Sequence, residues 1–174
     1  MSWKVPYINY AGQYLKIRDE LLEVIDATLS AGDVMLRGQL EDFENHLAKF
    51  VGVRHAIGVN SGTDALRLAL TGAGVGAGDE VILPSHTMVA TASAVHHAGA
   101  APVLVDMADD HTMDADSFER AITSRTRAVI PVHVNGRMCD MGRVMDVADR
   151  HDLIVLEDSA QAIGASFDGK RAGS

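Results

Sequence analysis

EVILPSHTMVATASAVHHAGAAPVLVD (80–106) decides the fold. Two apolar runs, EVILP (80–84) and PVLVD (102–106), flank an Ala-rich stretch from Val89 to His97. Alanine is the best helix former. A short, unbroken apolar run reads as a strand buried on both faces. Strand, helix and strand in that order make a crossover unit, and its two strands run parallel.

The same unit recurs on either side. HAIGV (55–59), AVIPV (128–132) and LIVLED (153–158) add three runs, and the starts of all five lie roughly 22–26 residues apart. Helical patterns fill the gaps. Thr63 to Ala73 sets Leu66, Ala69 and Leu70 on one face, and Asp114 to Ile122 sets Phe118 and Ile122 together. Met141 to Arg150 does the same with Met141, Val144, Met145 and Ala148. Alternating strands and helices predict an α/β fold with one parallel sheet of five strands, carboxyl ends along one edge. Two helices precede it, Leu15 to Leu29 and Gln39 to Phe50, joined by GDVMLRG (32–38). The expected division is a helical N-terminal segment over 1–54, continuous with a sheet domain over 55–174. After the fifth run comes a small turn at Asp168-Gly169 and no covering helix, so an N-terminal portion of a larger protein is expected.

Composition excludes several classes. The chain has 174 residues, within the ~100–200 of a typical domain. Fifteen Lys and Arg against 24 Asp and Glu leave a net charge of −9, with no basic run to displace phosphate counterions, so nucleic acid is not an expected partner. One cysteine, Cys139, forms neither an internal disulfide nor a zinc cluster. No run of ~18 apolar residues exists, and no secretory leader is read at the N-terminus, so no membrane span and a cytoplasmic location are expected.

Ligands of open parallel sheets bind beyond the strand carboxyl ends. Those positions hold Ser61-Gly62-Thr63, His86-Thr87-Met88, Asp106, His133-Val134-Asn135 and Asp158 with Gln161. Ser61-Gly62-Thr63 opens a helix, whose first amides lack intrahelical acceptors and suit a phosphate. Ser61 as a plain N-cap is the alternative. Asp158 follows LIVL at the rim of a buried strand, and a carboxylate there needs a partner. That partner is either an arginine or the protonated ring nitrogen of a cofactor. GAGVGAG (72–78) follows a helix and precedes a strand, the reverse of a dinucleotide fingerprint, so it reads as a turn. No metal-binding histidine pattern is present.

Five segments together resemble the DegT/DnrJ/EryC1/StrS family of pyridoxal-phosphate-dependent sugar aminotransferases. They are LRGQLEDFENHLAKFVG (36–52), VNSGTDALRLAL (59–70), GAGDEVILPSHTMVATASAVHHAGAAPVLVDM (76–107), AVIPVHVNG (128–136) and LIVLEDSAQAIGASFDGKRAGS (153–174). The resemblance implies the three-layer α/β/α core of the large domain of a fold type I enzyme, with pyridoxal 5′-phosphate as cofactor. It implies that Gly62 and Thr63 contact the phosphate, and that Asp158 pairs with the pyridine nitrogen. It places Gln161 on the ring-hydroxyl side and Met88 where the family stacks an aromatic on the ring. His86, His133 and Asn135 fall on the substrate edge, where the family's L-Y-G is here Val134-Asn135-Gly136. The implied reaction moves an amino group from glutamate to a keto group of a nucleotide-linked sugar, in a homodimer. The family's Schiff-base lysine falls beyond Ser174, so no catalytic residue is assigned among Lys4, Lys16, Lys49 and Lys170, and the chain alone is expected to be inactive. A sugar dehydratase of the same family and a non-catalytic binding module are the alternatives.

Overall fold

The computed structural model describes residues 5, 7–32, 35 and 38–174. Lys4 and most of the GDVMLRG connection lie outside them. The chain divides into two compact units, Met1–Phe43 and Glu44–Ser174.

The first unit holds α1 (Tyr10–Ala31). Asn9 caps it by accepting from the Gly12 amide at 2.9 Å. Gly32 ends it in the left-handed region at φ 67°, where its N–H reaches the Leu29 carbonyl. Glycine carries no Cβ penalty there. The expected stripe of Leu21, Ile25 and Leu29 exists on this helix, but none of its residues is buried. α2 (Gly38–Val51) begins in the first unit and ends in the second.

The rest of the second unit runs α3 (Gly62–Gly72), β1 (Glu80–Pro84), α4 (Val89–His97), β2 (Ala101–Val105), α5 (Ala115–Arg120), β3 (Thr126–Val129), α6 (Met141–Arg150) and β4 (Ile154–Val155). A hairpin of β5 (Ser166–Phe167) and β6 (Lys170–Arg171) follows. The four-stranded sheet is parallel throughout, in the order β2-β1-β3-β4. Alternation along the strands builds two cores. Val81, Leu83, Ala128 and Ile130 face Leu66 and Leu70 of α3 and Ala94 and Val95 of α4. Ile82, Val105 and Val129 face Phe118 of α5 and Val144, Val147 and Ala148 of α6. Helices thus cover both faces in three layers, as the unbroken apolar runs required. Ile82 and Phe118 are wholly buried, and truncating either to Ala should cost about 2–5 kcal/mol.

Two expectations are corrected. HAIGV forms no strand and joins no ladder among the described residues; Ile57 is 80% exposed. Its apolar character met the strand pattern without a neighbour to pair with. β2 is not buried on both faces either. Val103 and Val105 pack inward, while Leu104, on the opposite face of this edge strand, stays 59% exposed. Two loop readings hold. GAGVGAG is the turn between α3 and β1, with Gly74 and Gly78 at positive φ. Asp168 and Gly169, at φ 47° and 79°, turn the β5–β6 hairpin, and Asp-Gly is a preferred pair for such tight turns.

Candidate functional site at the carboxyl edge of the sheet

β1 ends at Pro84, and the chain leaves it through His86, Thr87 and Met88. Beyond β3 and β4 the backbones stay paired: the Asp158 N–H donates to the Pro131 carbonyl at 2.9 Å, and His133 N–H to the Asp158 carbonyl at 3.1 Å. These carboxyl ends enclose a cavity of about 310 Å³. His86, Met88, His133, Asn135, Asp158 and Gln161 line it. Six residues singled out in the sequence therefore meet at one place.

Asp158 is half-buried there. Thr91 Oγ1 donates to its Oδ2 at 2.9 Å, and the Ala160 amide approaches its Oδ1 at 3.3 Å. No cationic side chain among the described residues pairs with it. The arginine partner offered by the sequence is thus not found among them. What remains is an acceptor supplied only with neutral donors, set at a cavity wall. Thr91 was missed in the sequence. It lies in α4 on the stripe of Ala94 and Val95, and is wholly buried. A hydroxyl on a buried stripe must find an acceptor, which was the available signal. Thr87 Oγ1 hydrogen-bonds Thr91 Oγ1 at 2.8 Å and extends the chain of donors.

Gln161 is fixed from the other side. The Asn135 amide donates to its Oε1 at 2.8 Å. That leaves the Gln161 side-chain NH₂ as its donor end. Asn135 holds φ 55°, a left-handed conformation that Asn tolerates better than most residues. Met88 is exposed at the mouth, and so is His86.

His133 differs from both. Its ring is completely buried, with Nε2 2.7 Å from Glu157 Oε2 and Nδ1 accepting from the Cys139 amide at 3.2 Å. Both nitrogens are engaged within the protein, and no part of the ring is exposed to solvent. Burial disfavours an imidazolium, but the contacts with Cys139 and Glu157 favour it, and the balance raises the pKa to about 9. The second proton can settle only on Nδ1, where it displaces the Cys139 N–H. Leaving a buried donor unpaired costs about 1–3 kcal/mol, which pulls the titration back toward neutrality. For Glu157, burial also works against the charge, but hydrogen bonds from His133 and from the Gly173 amide at 3.0 Å win and hold its pKa below the ordinary value.

Gly62 and Thr63 are not in the lining of this cavity. Ser61 caps α3, its Oγ accepting from the Asp64 amide at 3.1 Å. The amides of Gly62 and Thr63 have no protein acceptor among the described residues. A Cβ built on Gly62 meets nothing within 4 Å. The N-cap is therefore present, and next to it stay two unused donors and open space.

These residues fit pyridoxal phosphate on two grounds: a carboxylate that no cation among the described residues pairs with, and an open helix N-terminus whose first amides meet no acceptor among them. Comparison with known proteins agrees. The family model described as DegT/DnrJ/EryC1/StrS aminotransferase family matches residues 15–174. The dTDP-3-amino-3,4,6-trideoxy-alpha-D-glucose transaminase of Streptomyces venezuelae is 46% identical over 98% of this chain and 45% of its own length. The crystal structure of DesV from S. venezuelae superposes with a TM-score of 0.96 at 46% identity, over 99% of this chain and 47% of that one. NtdA of Bacillus subtilis, solved with bound cofactor PMP, gives 0.89 at 34% identity, over 99% and 40%. The chain spans about half the length of the relatives it matches. With the match running through nearly every described element, the chain belongs to the DegT/DnrJ/EryC1/StrS aminotransferase family.

Proposed function

We propose that this chain is the N-terminal, cofactor-holding part of a pyridoxal-phosphate-dependent aminotransferase. That enzyme would move an amino group from glutamate to a keto group of a nucleotide-linked sugar. Residues 1–54 would form its helical N-terminal segment and 55–174 part of its large domain. Asp158 carries the reading: a half-buried carboxylate at a cavity wall, held by Thr91 and Ala160 and lacking a cation among the described residues. Such a group suits a protonated ring nitrogen better than solvent.

Each side chain has a definable task. Asp158 would keep a proton on the ring nitrogen by charge-assisted hydrogen bonding. Thr91 orients that carboxylate. The Gln161 NH₂, fixed through Asn135, would donate to the ring hydroxyl. Gly62 and Thr63 would give amides to the phosphate, where the helix dipole favours negative charge. Met88 would cover one ring face with a polarizable sulfur. His86 and Asn135 would meet the substrate. When bound, pyridoxal phosphate supplies an electron sink that the protein lacks. A homodimer is the proposed parent assembly.

Lys170 is not given the Schiff-base role. It is exposed on β6 and does not line the Asp158 cavity. We expect no turnover from the chain by itself. The test is binding of pyridoxal phosphate by fluorescence titration. A charged hydrogen bond is worth about 1.5–3 kcal/mol, so Asp158→Ala should weaken binding roughly ten- to a hundredfold. Asp158→Asn should be nearly as severe, because it keeps the shape and removes the charge. Lys170→Ala should leave binding unchanged. A borohydride-trappable adduct that disappears in Lys170→Ala would overturn the lysine assignment, and unchanged binding in Asp158→Ala would overturn the site.

A further inference from the structure

We infer that Glu157 is a positioning residue: from the opposite face of the sheet, through His133 and the Gly173 amide, it fixes the strand end that aims Asp158 into the cavity. The inference rests on the reading of Asp158 given above.

Adjacent side chains of an extended strand point to opposite faces. Asp158 meets Thr91 of α4 on one face. Glu157 meets the buried ring of His133 on the other, next to Cys139 of the second core. β4 has only two residues in its ladder, Ile154 and Val155. Beyond them, regular pairing gives way to the single bridge between Val132 and Asp158 and the backbone bonds flanking it. Two backbone bonds are a weak hold on a residue whose direction matters. The Glu157 carboxylate adds two more ties at that level. Its Oε2 takes the His133 ring at 2.7 Å and the Gly173 amide at 3.0 Å. His133 is in turn held by Cys139, whose thiol donates to the Val132 carbonyl at 3.4 Å. The ends of three segments, 132–133, 157–158 and 173, are thereby locked around one carboxylate. Glu157 and Cys139 are the titratable groups that face the ring.

The lock requires a defined tautomer. With Nδ1 accepting from Cys139, the ring must present Nε2–H to Glu157.

The test uses the 174-residue chain without cofactor, labelled for NMR, in wild-type, Glu157→Gln and His133→Gln forms. In the wild type above its titration, the ring should show a pyrrole-type Nε2 and a pyridine-type Nδ1. In Glu157→Gln the proton affinity of His133 should fall at least tenfold, because the anionic partner is gone. The Asp158 side-chain carboxyl and Ala160 amide signals should move with it. His133→Gln, whose amide can replace the Nε2 donor, should keep those Asp158 and Ala160 signals near wild type. A second readout is pyridoxal phosphate binding, weakened about tenfold in Glu157→Gln. A neutral wild-type ring protonated on Nδ1 above its titration overturns the inference, and this holds even if Glu157→Gln does not fold. Unmoved Asp158 signals in a folded Glu157→Gln overturn it as well. If those signals move while the wild type shows no affinity for pyridoxal phosphate, the clamp stands and the cofactor reading fails.

Discussion

Asp158 shows what a residue's surroundings add to its identity. Its position after LIVL required a partner, and the described residues offer it only neutral donors. Thr91→Val tests how much that support matters. Valine keeps the volume in a fully buried position and removes the hydroxyl at 2.9 Å from Oδ2. Asp158 is half-buried and can recruit water, so the expected loss is about 0.5–1.5 kcal/mol in chemical denaturation. The companion effect is a rise of up to about tenfold in the Kd for pyridoxal phosphate. Glu157 predicts a pH dependence. Its folded pKa lies below the ordinary 4.5, because the bonds from His133 and Gly173 outweigh burial. A depressed carboxyl stabilises the fold above its unfolded value and loses that contribution as pH falls through the folded one. Thermal stability should therefore hold above pH about 5 and decline below about 4.5. Glu157→Gln should flatten that acid limb, and an identical limb in the variant would contradict the assignment. Neither Thr91 nor the depth of His133 was legible from single positions. A strand-end histidine looks the same in a sequence whether its ring is exposed or wholly buried.

At the scale of elements, α3 lets two readings of Ser61-Gly62-Thr63 be separated. Ser61→Ala removes the cap bond to the Asp64 amide and should cost about 1 kcal/mol of stability. Gly62→Ala adds a methyl group into open space at a backbone conformation other residues tolerate. Its stability should change by less than about 0.5 kcal/mol. If the space belongs to a phosphate, Gly62→Ala should still weaken pyridoxal phosphate binding markedly. Loss of stability without loss of affinity would make the segment a cap and nothing more. The helices themselves were legible. α3, α5 and α6 follow the apolar spacing and α4 the Ala-rich run, and all four pack on the sheet. HAIGV failed for a reason that spacing cannot report. Periodicity records how apolar a segment is, but a strand also needs a neighbour offering N–H and C=O groups, and HAIGV has none among the described residues. Pairing partners are a property of the assembled sheet. Burial is likewise a property of the assembled sheet: the edge strand β2 leaves Leu104 exposed although its composition matches the buried strands.

Across the whole molecule, the chain has enough apolar surface left in water to associate with itself. Leu21, Ile25 and Leu29 are exposed on α1, and Leu104 is exposed on β2. Exposed apolar patches beyond a few hundred Å² mark interaction sites or aggregation hazards. Opposing this is the net charge of −9, which repels like copies at low ionic strength. The two effects make different claims about salt. At low salt, long-range repulsion should keep the chain dispersed. Near physiological ionic strength the screening length shortens to about 8 Å, and apolar contact should win. Sedimentation velocity over a tenfold range of concentration should therefore show a weight-average mass that rises with protein and with salt. Leu21→Glu with Ile25→Glu should shift the distribution toward monomer if α1 provides the contact. Leu104→Glu should do so if the edge of the sheet provides it. A single monomeric species at high concentration and high salt would show that these faces do not drive association, and the proposed homodimer would then have to form through other surfaces.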